Sequence, residues 1–224
     1  MKRPASLERF GVYRLLRSVY DEYVRERLPR KIGVYNGVPV RDRALLDETD
    51  EQPEYEGPLV SGIERTERTG DSVVVVGGGR GVSTVIAARA VGPSGDVTVY
   101  EGSREQYDRV EETVRLNRVA DRVSVNFEVV GDAVSLWGEG GRAEGTDPED
   151  LPACDVLVLD CEGAEKQVVS DLTTPPSTVV VETHGDLGVA PEDMIKTLES
   201  RGYDVTDREA EVPERGIVIL TARR

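Results

Sequence analysis

The feature that most constrains this chain is a recurring run of valine and leucine with no polar interruption. Val73-Val74-Val75-Val76 and Val156-Leu157-Val158-Leu159 are apolar at every position, not at every second one. A strand with one face in water alternates. A strand buried on both faces does not, and that is the condition of a parallel sheet covered by helices. From Asp71 onward, strands are expected at about 72–76, 96–100, 123–130, 155–160 and 178–183, with helices at about 82–91, 103–118, 163–171 and 190–201. Two further strands, about 203–209 and 216–222, are separated only by Glu211-Val212-Pro213-Glu214-Arg215-Gly216. That link is too short for a helical crossover, so the pair is expected antiparallel. The fold class is α/β, an open sheet ending in a hairpin, with Gly138 to Asp150 read as a surface loop.

The first quarter of the chain is organised differently. Residues 5–29 have apolar positions near helical spacing (Leu7, Phe10, Tyr13, Leu16, Tyr20, Tyr23, Leu28), with Ser6 placed to cap the helix and Pro29 to stop it. A short β-like stretch from Ile32 to Val40 turns at Asn36-Gly37. The acidic run from Asp47 to Glu56 reads as a solvated connector, and a short helix about Pro58 to Glu67 leads into the sheet. The expected division is therefore 1–56 as an extension and 57–224 as the main domain. The helix's apolar stripe must be covered, by its own domain or as a seam between two copies of the chain.

Charge narrows the partners. Of the 224 residues, 28 are Lys or Arg and 43 are Asp or Glu, a formal net charge of −15; only four of the basic residues are lysines. This argues against nucleic acid and anionic membrane surfaces as partners, as does the lack of a basic cluster with aromatics. Acidity with scarce lysine resembles the proteins of salt-loving archaea. No apolar run approaches the roughly 18 residues of a membrane span, and the N-terminus has no secretory pattern. Cys154 and Cys161 lack metal-ligand spacing and read as small apolar residues in a reducing cytoplasm.

Ligands of an open parallel sheet bind beyond the carboxyl ends of its strands, where the strand order switches. Four strand ends carry suggestive residues. Gly77-Gly78-Gly79-Arg80-Gly81 follows the first strand and opens a helix; glycines at 77, 79 and 81 let backbone approach a ligand at a helix N-terminus. Glu101 ends the second strand, where a carboxylate accepts hydrogen bonds from both hydroxyls of a ribose. Gly131-Asp132-Ala133 follows the third: Asp132 is placed to accept from an adenine amino group, and Ala133 to supply backbone. Asp160-Cys161-Glu162-Gly163-Ala164-Glu165 follows the fourth, with three carboxylates close enough to need a partner.

The order of these motifs resembles the class I S-adenosylmethionine-dependent methyltransferases. Asp160-Cys161-Glu162-Gly163-Ala164-Glu165 and Val181-Glu182-Thr183-His184-Gly185 resemble the FkbM-type family within them, over residues 57 to 221. Val75, two before the first glycine, stands where the family carries an acid, and Gly102 where it often carries proline. The resemblance implies a Rossmann-like, mostly parallel seven-stranded sheet with helices on both faces and an antiparallel last strand. It implies S-adenosylmethionine as cofactor, held by Gly77, Gly78, Gly79, Gly81, Glu101, Gly131, Asp132, Ala133 and Asp160. It also implies methylation of an oxygen on a small-molecule or glycan acceptor.

Methyl transfer to a hydroxyl needs positioning and a proton acceptor. His184, the only histidine, is the first candidate base. Asp160, Glu162 and Glu182 are candidates for base, acceptor clamp or orienting partner. Three rivals stand beside this reading. An NAD(P)-dependent oxidoreductase shares the second-strand carboxylate but not the glycine spacing. A non-catalytic binding module keeps the fold without turnover. A metal-assisted methyltransferase would use Asp160, Glu162, Glu182 and His184 as ligands, although the primary reading holds no metal.

Overall fold

A computed structural model describes residues 16–132 and 143–224. Seven strands form the central sheet: β4 (Ser72–Val76), β5 (Asp96–Tyr100), β6 (Val123–Asn126), β9 (Val156–Leu159), β10 (Thr178–His184), β11 (Asp204–Val212) and β12 (Ile217–Arg223). Their spatial order is β6-β5-β4-β9-β10-β12-β11. All neighbours are parallel except the two pairings of β12, which runs against β10 and β11. This is the mostly parallel Rossmann-like sheet, with its antiparallel C-terminal strand, that the sequence led us to expect.

The unbroken valine runs are explained by two cores. Along β4, Val73 and Val75 face one layer and Val74 and Val76 the other, the two-residue alternation of a strand, and all four are buried. The first layer is made by α1 (Gly57–Thr66), α2 (Val82–Val91) and α3 (Arg104–Leu116), the second by α4 (Glu165–Asp171) and α5 (Pro191–Ser200).

Three departures from expectation bear on the site. The segment expected as one strand over 123–130 breaks at Phe127, whose ring packs against Tyr107 with centroids 5.7 Å apart. Beyond the break, β7 (Glu128–Val130) leaves the sheet and pairs in parallel with β8 (Glu144–Thr146). Residues 144–150, expected as loop, thus hold a strand and a turn of 3₁₀ helix (Pro148–Asp150). The acidic segment is also more than a solvated connector. Residues 48–51, 53 and 54 are largely exposed, but β3 (Glu51–Gln52) pairs with β1 (Lys31–Tyr35), which forms a hairpin with β2 (Val38–Arg43) across Asn36-Gly37. The Asp47 carboxylate, only 5% exposed, is surrounded by Arg17, Arg25 and Arg43. Charge neutralisation draws it inward.

Residues 1–15, which include the first part of the helix expected over 5–29, lie outside the described residues; from 16 to 27 the chain is helical, ending in π and 3₁₀ turns (Tyr20–Val24, Arg25–Arg27). Among the described residues no helix is long and apolar enough to cross a membrane. Cys154 and Cys161 are both free.

Candidate functional site

Strand order reverses between β4 and β9, so the loops leaving their carboxyl ends diverge and open a crevice. The glycine turn lies there. Gly77, Gly79 and Gly81 all have positive φ, at 92°, 50° and 79°, a backbone state that glycine adopts without strain. Their surroundings differ. A β-carbon on Gly77 would sit 1.8 Å from the Asp160 carbonyl oxygen, and one on Gly81 would press on Thr113 at 3.1 Å. Gly79 alone of the three would meet nothing within 4 Å. Gly77 and Gly81 are therefore required by the protein's own packing, while Gly79 keeps a surface clear.

Glu101, 7% exposed, holds this turn in shape. Its Oε2 accepts the backbone N–H groups of Gly78 and Gly79 at 2.9 and 3.0 Å, and its Oε1 accepts that of Ser103 at 2.8 Å. A carboxylate offers about four lone-pair positions, so about one is left for a ligand. Glu101 points at the glycine turn as expected, but it is first a clamp on that turn; it cannot serve two ribose hydroxyls while all three backbone bonds persist.

Below the turn lies a cavity of about 500 Å³, within the usual size of small-molecule sites. Gly77, Gly79, Glu101, Asp160, Glu162, Glu182 and His184 line it, drawn from the ends of β4, β5, β9 and β10. Gly78 and Gly81 stand behind this lining. Gly131 and Asp132 also lie outside it: Asp132 is exposed, and its N–H donates to Gln167 Oε1 at 2.7 Å. The departure of β7 from the sheet carries them away and leaves Glu128, Val129 and Val130 as the wall. Ala133 lies outside the described residues.

The floor is unusually acidic. His184 is 7% exposed; its Nδ1 is 2.6 Å from Glu165 Oε1, and its Nε2 is 3.6 Å from Asp160 Oδ1 and 3.7 Å from Glu182 Oε1. Burial disfavours the imidazolium, but the hydrogen bond and charge of Glu165, with Asp160 and Glu162, outweigh it, and the His184 pKa is raised. The carboxyls move the same way. Burial, then the charge of Asp160, pushes Glu162 up to about 7 and raises Glu182 strongly; burial also raises Asp160 and Glu56. Glu165 and its neighbours thus favour the protonated form of His184.

Two contributions escape a reading of the sequence. Glu165 orients His184, the role expected of Asp160, Glu162 or Glu182; its place in the first turn of α4 was the available signal. Tyr55 and Glu56 also line the cavity, brought in by Arg80. The Arg80 guanidinium donates to Asp42 Oδ2 at 2.6 Å and to the Tyr55 hydroxyl at 2.9 Å, and stacks 5.1 Å over the Tyr55 ring. Nothing local in an acidic stretch announces such a contact.

No protein-family model matches the chain, and no curated protein matches it by sequence. Its fold is shared with solved methyltransferases. A ribosomal protein L11 methylase from Lactobacillus delbrueckii subsp. bulgaricus superposes with a TM-score of 0.56 at 16% identity, covering 77% of this chain and 79% of that one. A precorrin-6y C5,15-methyltransferase from Geobacter metallireducens gives 0.53 at 14%, covering 77% and 90%. A SAM-dependent O-methyltransferase from Thermotoga maritima gives 0.50 at 18%, covering 76% and 65%. The chain has the Rossmann-like fold of the class I S-adenosylmethionine-dependent methyltransferases.

Proposed function

We propose that this protein is an S-adenosylmethionine-dependent methyltransferase of the FkbM type, acting on an oxygen of a small-molecule or glycan acceptor. One observation carries the reading: a turn held open at Gly79 and clamped by Glu101 stands at the switch point, over an acidic cavity. The residues fit the cofactor. Gly79 leaves room for a ligand against backbone, the free position on Glu101 accepts a ribose hydroxyl, and the acidic floor, whose charged form a cation would favour, suits a cationic sulfonium.

When bound, the cofactor, held by the Gly79 backbone and the free position on Glu101, would supply an activated methyl group on a sulfonium, with sulfur as the leaving group. The chain's residues position the acceptor and remove its proton. Glu162 is the proton acceptor, since its pKa of about 7 places it near the working pH. Asp160 and Glu182, beside it on the cavity lining, orient the acceptor hydroxyl. His184, fixed by Glu165, is a positioning residue for both carboxylates. The oxygen preference rests on the family resemblance and on this supply of proton acceptors. The carboxylate-rich, lysine-poor composition supports a salt-adapted protein of the cytoplasm.

The test is calorimetry with S-adenosylhomocysteine in concentrated salt, with saturable one-to-one uptake expected. No heat from a folded sample, or uptake of a nicotinamide dinucleotide instead, would overturn the proposal.

A further inference from the structure

We propose that Asp160, Glu182 and His184 form a binding site for one divalent first-row transition-metal cation on the cavity floor. One donor atom from each residue lies within 4.8 Å of the other two, and the His184 Nε2 separations from Asp160 and Glu182 are already 3.6 and 3.7 Å. Two ligands of a single ion, each about 2.1 Å from it, stand roughly 3.0–3.4 Å apart at octahedral or tetrahedral angles. The donors come from the ends of β9 and β10, neighbouring central strands, so the scaffold holds them in place.

Two independent observations indicate that this cluster is built for a ligand. The first is Glu182, 7% exposed and on the cavity lining, whose Oε2 is buried without a hydrogen-bond partner among the described residues. A carboxyl oxygen in that position has lost its water and gained no hydrogen-bond partner, a cost that a bound cation would offset. The second is the pairing of His184 Nδ1 with Glu165, which is fully buried. A metal-bound histidine characteristically donates its other ring N–H to a carboxylate, which fixes the tautomer and turns the remaining nitrogen toward the ion. Here that nitrogen faces Asp160 and Glu182.

One imidazole with two carboxylates favours Mn²⁺, Fe²⁺ or Zn²⁺ over Ca²⁺ and Mg²⁺, which prefer oxygen ligands alone. Binding of the ion does not depend on the methyltransferase reading; only its use does. On that reading the ion would hold the acceptor hydroxyl oxygen and lower its pKa, with Glu162 receiving the proton.

The test uses the untagged, chelator-stripped full chain and MnCl₂. The chain has one histidine, so its ring proton resonances form a unique reporter. Substoichiometric Mn²⁺ should broaden them selectively, and electron paramagnetic resonance should count one bound ion per chain. Glu182→Gln should weaken binding at least tenfold, as should Glu165→Gln, which touches no ion; the surface variant Glu192→Gln should not. Absence of saturable binding, or binding that leaves the histidine resonances sharp, would overturn the site, and the NMR result holds even where a variant fails to fold. Calorimetry with S-adenosylhomocysteine on the same metal-free sample reports the cofactor reading separately, so either can fail alone.

Discussion

At the scale of single residues, the glycine turn separates groups that serve the fold from groups that serve a ligand. Gly77→Ala would drive a β-carbon into the Asp160 carbonyl; with no room to relax, a loss of roughly 3 kcal/mol or more is expected in denaturant unfolding. Gly79→Ala meets open space and carries only left-handed strain of about 1 kcal/mol. It should lower the unfolding midpoint far less than Gly77→Ala does while weakening S-adenosylhomocysteine binding in calorimetry. Glu101→Gln tests the clamp. An amide presents a donor where two glycine N–H groups or that of Ser103 need an acceptor, so affinity should fall at least thirtyfold, about 2 kcal/mol.

At the scale of elements, the segment that follows the β1–β2 hairpin gives Tyr55 and Glu56 to the cavity wall, and the hairpin braces that wall through Arg80. Arg80, next to the glycine turn, reaches Asp42 on β2 and the hydroxyl of Tyr55. Burial alone would raise the Asp42 pKa, yet Arg80 and Arg109 hold it below the ordinary carboxylate value. Arg80→Met leaves that carboxylate, 13% exposed, with Arg109 as its remaining cation at 3.7 Å. Because the Arg80 side chain is 35% exposed, solvent screening limits the cost to roughly 2 kcal/mol. In an Asp42→Asn background the same change should cost about half as much, and a double-mutant cycle on unfolding free energies measures the difference.

At the scale of the whole molecule, buried carboxyls set the pH dependence. Burial, then the charge of Asp71, raises Glu67 from 4.5 to about 8, and neither of its oxygens has a hydrogen-bond partner among the described residues. A carboxyl raised in the folded state contributes stability that is complete below the unfolded pKa and is lost as pH climbs through the folded one. Glu67 and Glu162 therefore both favour the fold less as pH rises from about 4.5 to 8, and His184, also raised, has the same sign. The thermal midpoint should be higher at pH 5.5 than at pH 8.5. Glu67→Met should flatten that slope and stabilise the protein at pH 8.5 by roughly 2–4 kcal/mol. A net charge of −15 adds self-repulsion, which salt screens over a Debye length that falls from about 10 Å at 0.1 M to 3 Å at 1 M. Raising KCl across that range should raise the midpoint by several degrees, as scanning calorimetry would record.

The sheet was legible because burial on both faces writes itself into each strand locally: Val73 to Val76 and Val156 to Leu159 could belong to little else. The glycine turn, Glu101, Asp160, Glu162, Glu182 and His184 were legible for a related reason, since strand ends in a parallel sheet converge whatever the loops do. What the chain does beyond Phe127 was not legible, because β7 leaves the sheet to pair with β8, a partner fixed only in the folded chain, and takes Gly131 and Asp132 with it. Nor was the partnership of Glu165 with His184, or the entry of Tyr55 and Glu56 into the cavity. Local pattern records which side chains must leave water. Which charged group meets which depends on distances that exist only after the strands have packed, so the electrostatics of the cavity belong to the tertiary structure.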